Sequence, residues 1–193
     1  MFKSGSIGEW PALLGRCHTR SLMVILRFLQ SCLDIALWRK GPQDLPASSL
    51  LATLVLLAYM AAGFVRVQLF ALDLQASLLF ICVDAMMLGV WAWVVLAFFG
   101  RRQRFVQTIT ATLGVGLLVL LLDVTFRTAQ LAFGLSDALS LNWLLLRFLI
   151  MALVLGRIFM LALDRGLITG IALTIAILQS TKAVVQLMLD LRG

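Results

Sequence analysis

The chain has 193 residues, of which 62% are apolar and 13% charged, against about 45–50% and about 25% in ordinary globular domains. Too few polar residues remain to clothe a water-soluble surface, so lipid is the solvent for much of the exterior. The formal charge of +7 does not indicate a nucleic-acid interface, because the basic residues mostly fall between apolar runs and not in a patch; anionic lipid headgroups are the partner this distribution fits.

Residues 1–20 read as a poorly ordered leader in which Gly5, Gly8, Pro11 and Gly15 interrupt any helix. The apolar h-region and small-residue cleavage site of a signal peptide are missing, and Met23 is an alternative start. His18, the one histidine, has no second ligand type beside it and reads as a solvated side chain rather than a metal ligand. Cys17, Cys32 and Cys82 are odd in number and form no C-x-x-C pair, so no disulfide framework is expected. No metal or cofactor is implied.

Residues 21–46 predict an amphipathic surface helix followed by a proline elbow. Arg20, Arg27 and Asp34 recur every seven residues with Gln30 and Ser31 on the same face, while Leu22, Leu26, Leu29, Leu33 and Leu37 line the opposite one. Charge interrupts this helix too often for it to cross a bilayer. It is expected to lie in the interface, with Trp38, Arg39 and Lys40 at headgroup level; the alternative is a helix packed on the protein's own cytoplasmic face. Arg20, Arg27, Arg39 and Lys40 form its basic flank, a candidate lipid or partner surface. Gly41-Pro42-Gln43-Asp44-Leu45-Pro46 then breaks the helix, with Gly41 as its cap and Asp44 capping the next helix.

Residues 47–193 predict five transmembrane spans, at about 47–65, 76–99, 105–124, 139–163 and 167–189, each close to the roughly 20 residues that cross a bilayer as a helix. The clearest is Ala76–Phe99, 24 residues with Asp84 as the one charge, followed by Gly100-Arg101-Arg102-Gln103-Arg104. In a four-span alternative the last segment, which carries Gln179, Ser180, Thr181 and Lys182, only half-inserts. Lysine and arginine divide eleven to three between the two sides of the five-span topology. This places the N-terminus in the cytoplasm and the C-terminus outside. The expected architecture is an all-α bundle of five transmembrane helices preceded by an amphipathic interfacial helix.

Arg104-Phe105-Val106-Gln107-Thr108, with Ala111 and Gly114 after it, resembles the F-x-Q-T…A…G stretch that opens a middle span in bacterial Yip1-like inner-membrane proteins. Gly41-Pro42-Gln43-Asp44-Leu45-Pro46 is similar to a proteobacterial signature of the same kind. The resemblance covers roughly residues 35–190. It implies a cytoplasmic N-terminus and five spans, in agreement with the count above, and brings no active site with it. The eukaryotic branch binds trafficking GTPases through a long acidic cytoplasmic segment that this chain lacks, so that function is not transferred.

Ionisable residues inside spans are the informative ones, since a charge at membrane depth is costly unless paired or wet. Asp84, Arg147 and Lys182 are expected at similar depth in the outer leaflet, with Gln179 beside them. The structural reading pairs Asp84 with Arg147 or Lys182 and is preferred over a proton or ion site, which normally brings more broken helices. Gly114 and Gly116 in span 3, and Gly166, Gly170, Ala172 and Ala176 in span 5, are candidate helix-packing positions, for internal packing ahead of a homo-oligomer face. No H-E-x-x-H, G-x-S-x-G or Walker signature occurs. The expected function is that of a non-enzymatic membrane protein organising partners or lipid. A small transporter or channel built on the polar cluster is the alternative, and a lipid-metabolising enzyme ranks third for want of a paired acid and base.

Overall fold

The computed structural model describes residues 27–69, 74–134 and 137–190. The leader lies outside them, with Cys17, His18 and Arg20, as does the first part of the surface helix, with Leu22 and Leu26. The described helices are α1 (residues 27–36), α2 (Ser49–Gln68), α3 (Leu74–Phe98), α4 (Phe105–Phe133), α5 (Asp137–Leu163) and α6 (Leu167–Asp190). Single 3-10 turns stand at Pro42–Asp44 and Arg102–Arg104. From α2 to α6 each helix is long and apolar enough to cross a bilayer. The protein is an all-α, multi-pass membrane protein.

α4 is the middle of the bundle. Residues 108–117 are buried without interruption, and 67% of its span is buried against 28–33% in the other four. A helix covered on every side has no use for a polar stripe; two of its three buried threonine hydroxyls turn to its own carbonyls, while Thr112 Oγ1 has no partner among the described residues. Thr108 and Thr110 donate to the carbonyls of Arg104 and Val106 at 2.8 and 2.7 Å. Gly114 and Gly116 open two grooves on it. A Cβ on Gly114 would stand 2.5 Å from Cys32 Sγ of α1, and one on Gly116 would stand 2.9 Å from the Tyr59 ring of α2.

The surface helix therefore docks on the bundle. Its inward face is Phe28, Cys32 and Ile35, against Ala111 and Val115 of α4 and Leu155 and Ile158 of α5. This is one position round the helix from the expected leucine row, and Leu33 and Leu37 remain about half exposed. Burial pushes the Cys32 thiol up to about 12. At pH 8 its thiolate fraction is then about 10⁻⁴. In a chain with Cys17 replaced by serine, a water-soluble maleimide should leave Cys32 unlabelled by peptide mass mapping until the protein is denatured. Rapid labelling under native conditions would mean that α1 is undocked.

Three helices end at one face with the same motif. Trp38, Gly100 and Asp164 take left-handed φ values of 67, 71 and 53°. The N–H groups of Arg39, Arg101 and Arg165 then reach the carbonyls of Asp34, Leu96 and Met160, at 2.8, 2.7 and 3.1 Å. Glycine adopts this conformation freely and aspartate with little cost, but tryptophan does not. Trp38 is held there by the Arg157 guanidinium, 5.1 Å from its ring centroid, a cation–π contact. α1 consequently stops at residue 36, short of the expected Lys40. Asp44 also differs from expectation. It accepts from Gly41 N at 2.8 Å and closes the 3-10 turn, while Ser48 caps α2.

The same face is tied together by the arginine loop. Arg101 and Arg104 meet Asp164 at 2.8 and 3.1 Å, and Arg104 also donates to the last carbonyls of α5, Leu161 and Ala162. Gln107 donates to Leu45 O at 3.2 Å. At the opposite face two helices run past their expected ends: α2 through Arg66 to Gln68, and α4 beyond residue 124 through Arg127 to Phe133. The connection expected between the spans at 105–124 and 139–163 begins only at Gly134, whose left-handed φ of 61° ends α4.

α6 is one unbroken helix, its polar segment included. Ser180 and Thr181 donate to Ile177 O at 2.8 and 2.9 Å, so their hydroxyls need no other partner. Its close approach to α5 is at Gly170, where a Cβ would lie 2.0 Å from Gly156 O. The other small residues expected to pack do not. A Cβ on Gly166 would meet nothing within 4 Å, because this glycine belongs to the turn, and Ala172 and Ala176 are exposed on the outward face.

Candidate functional site

Four helices bring charges to one level of the bundle, in the half away from the arginine loop. Asp84 is ten residues from the start of α3, Asp123 ten from the end of α4, and Arg147 ten from the start of α5, each about 15 Å from the helix terminus at 1.5 Å per residue. α2 supplies Tyr59, Gly63 and Arg66, spaced i, i+4, i+7 and so on one face. Gly63 and Gly116 carry no side chain, and the tyrosine ring settles against Gly116.

Asp123, at 6% exposure, is the hub. Its Oδ2 lies 2.8 Å from Arg66 Nε and is ion-paired with Arg147 Nη1; its Oδ1 accepts from Trp143 Nε1 at 2.8 Å. The Trp143 indole stacks on Phe126, centroid to centroid 4.6 Å, which fixes the donor. Asp84 accepts a hydrogen bond from Tyr59 Oη at 2.6 Å. The expected direct pair of Asp84 with Arg147 is thus replaced: Arg147 reaches Asp123, and Asp84 is satisfied by a hydroxyl. The two halves still share one cavity of about 80 Å³, lined by Tyr59, Arg66, Asp84, Arg147 and Thr181 among apolar neighbours. At about 30 Å³ per water it holds two or three.

Gln179 and Lys182 stand beside Arg147 on the other side of α5. The three border a second, larger cavity between α5 and α6, and the Lys182 ammonium lies 5.2 Å from the Phe148 ring centroid. No group of three or more histidine, cysteine, aspartate or glutamate side chains comes together among the described residues. Arg27, Arg39 and Lys40 are exposed, Arg39 and Lys40 following the Trp38 turn at the arginine-loop face, with Lys40 ion-paired to Asp34 at 2.9 Å.

Reading the residues alone missed Tyr59, Arg66, Asp123 and Trp143. Arg66 looks like the closing charge of span 1, and Asp123 falls in the last turn of the expected span 105–124. The available signal was the equal ten-residue setback of Asp84, Asp123 and Arg147, visible once α4 is allowed to continue to Gly134.

Two carboxylates, two guanidiniums, a phenol and an indole can neutralise one another and lock four helices in register. Compared with protein-family models, with curated proteins and with solved structures, the chain matches none.

Proposed function

We propose that this chain is a non-enzymatic protein of the bacterial inner membrane, Yip1-like, that organises lipid or membrane partners from its cytoplasmic face. The observation that carries this reading is the docked α1. It is fastened to α4 through Cys32 and Gly114 and to α5 through Trp38 and Arg157, and it offers the exposed Leu33 and Leu37 beside Arg27, Arg39 and Lys40. A helix held in this way can rest its leucines in the leaflet while each base near an anionic headgroup contributes about 1 kcal/mol. Both stretches that carry the Yip1 resemblance support the same joint, since Gln107 binds the backbone of Leu45.

The charge asymmetry puts this face, and the N-terminus, in the cytoplasm and the C-terminus outside. Reporter fusions after Arg104 and after Arg192 should therefore report opposite sides; both on one side would remove the five-span topology. Photo-crosslinkers at Leu33 and Leu37 should capture lipid or another protein, more strongly in anionic membranes. Capture of the protein's own helices alone, unchanged by lipid charge, would end the proposal. A homo-oligomer is compatible with it, through the outward-facing Ala172 and Ala176.

One observation favours a second reading, a small transporter or channel: the 80 Å³ cavity is polar on one side and includes Asp84. Its charges are closely compensated, and this weighs for a lock rather than a path.

A further inference from the structure

The larger cavity lies between α5 and α6 in the half of the bundle away from the arginine loop, and encloses about 270 Å³, the volume of about nine waters. One part of its wall is apolar, with Phe148, Met151 and Leu178; the other carries Arg147, Lys182 and Gln179. Among the described residues no carboxylate lines it.

The charged side chains on its wall are both positive. Arg147 is ion-paired with Asp123, which also meets Arg66, and shares the neighbouring cavity with Asp84, whereas Lys182 has no ion pair among the described residues. Its ammonium stands over the Phe148 ring, and it lies eight residues, about 12 Å, from the end of α6. An ammonium at that depth is costly without an anion or water. Its flexible stem lets it reach the headgroup level of that leaflet.

We infer that this cavity binds an anionic phospholipid, with the phosphodiester between Lys182 and Arg147 and an acyl chain along Phe148, Met151 and Leu178. A lipid is the anion source because the surrounding surface is made of exposed leucines, Leu144, Leu145 and Leu149, and so faces hydrocarbon. Arg147 and Lys182, with no carboxylate beside them on this wall among the described residues, select a headgroup of net negative charge over a zwitterionic one. This goes beyond the cytoplasmic surface proposed above and does not depend on it, since the two sites lie at opposite ends of the bundle.

The test is native mass spectrometry of the full chain titrated with phosphatidylglycerol or phosphatidylcholine of the same acyl composition. The parent should retain phosphatidylglycerol preferentially, and Lys182→Gln should weaken that retention about fivefold, the size of one cation–headgroup contact, without altering phosphatidylcholine. Millimolar inorganic phosphate should not displace the lipid. A photoreactive side chain at Leu145 gives a readout that leaves Lys182 in place: in vesicles with equal amounts of both lipids its adducts should be mainly phosphatidylglycerol. Equal retention by parent and Lys182→Gln, adducts in proportion to vesicle composition, or displacement by free phosphate would each overturn the inference.

Discussion

Replacing Asp123 with asparagine should destabilise the folded protein by about 3–5 kcal/mol, the range for breaking a buried ion pair from one side. The asparagine keeps the shape and can still accept from Trp143, but it leaves Arg66 and Arg147 facing each other with their shared anion gone. Adding Arg147→Gln removes one of those stranded charges. The double variant should therefore melt well above the temperature expected from adding the two single losses. Strictly additive losses would show that Asp123 and Arg147 do not act as a unit. Asp84→Asn should cost far less, about 1 kcal/mol, because the Tyr59 hydroxyl can donate to an amide oxygen as it does to the carboxylate. Denaturation of Asp123→Asn, Arg147→Gln, their double variant and Asp84→Asn in one detergent, followed by circular dichroism, is sufficient to rank them.

Gly170→Ala should be the most damaging added methyl group among the described glycines. The added Cβ would lie 2.0 Å from the Gly156 carbonyl oxygen and 2.9 Å from its carbon. Both are backbone atoms of α5, so no side-chain rotation relieves the contact and the two helices must separate. Overpacking of this kind costs about 1–3 kcal/mol, occasionally more. Gly166→Ala, four residues earlier and with open space around it, is the matched control and should stay within about 0.5 kcal/mol of the parent. Equal effects at the two positions would contradict the close crossing of α5 and α6.

The number of spans could be read from hydropathy because each apolar segment is long and bounded by a charge or a glycine. The same rule hid the cluster. Ending the first span at its first charge trimmed α2 before Arg66, and ending the third near residue 124 left Asp123 in its last turn, when those two residues satisfy each other across the bundle and so remain inside. Gly114 and Gly116 were legible as packing positions from residue type, but which helix enters each groove depends on tertiary placement. The row Ala172, Ala176 and Ser180 shows the converse. Small size licenses close approach without requiring it, and the approach occurs one face away, at Gly170. On α1 the leucine period was real, yet the buried stripe is Phe28, Cys32 and Ile35. In a bilayer an exposed leucine row carries no penalty, so hydrophobicity alone cannot say which apolar face meets protein and which meets lipid.

The central claim is that the Asp84, Asp123, Arg66 and Arg147 cluster holds the bundle together and carries nothing through it. Proton and potassium flux across liposomes of purified protein, measured beside protein-free vesicles, tests this most directly. A cluster that only locks the helices predicts no flux above the protein-free baseline, with Asp84→Asn indistinguishable from the parent. A flux that the parent supports and Asp84→Asn abolishes, at an unchanged melting temperature, would contradict it and make the cluster a transport site.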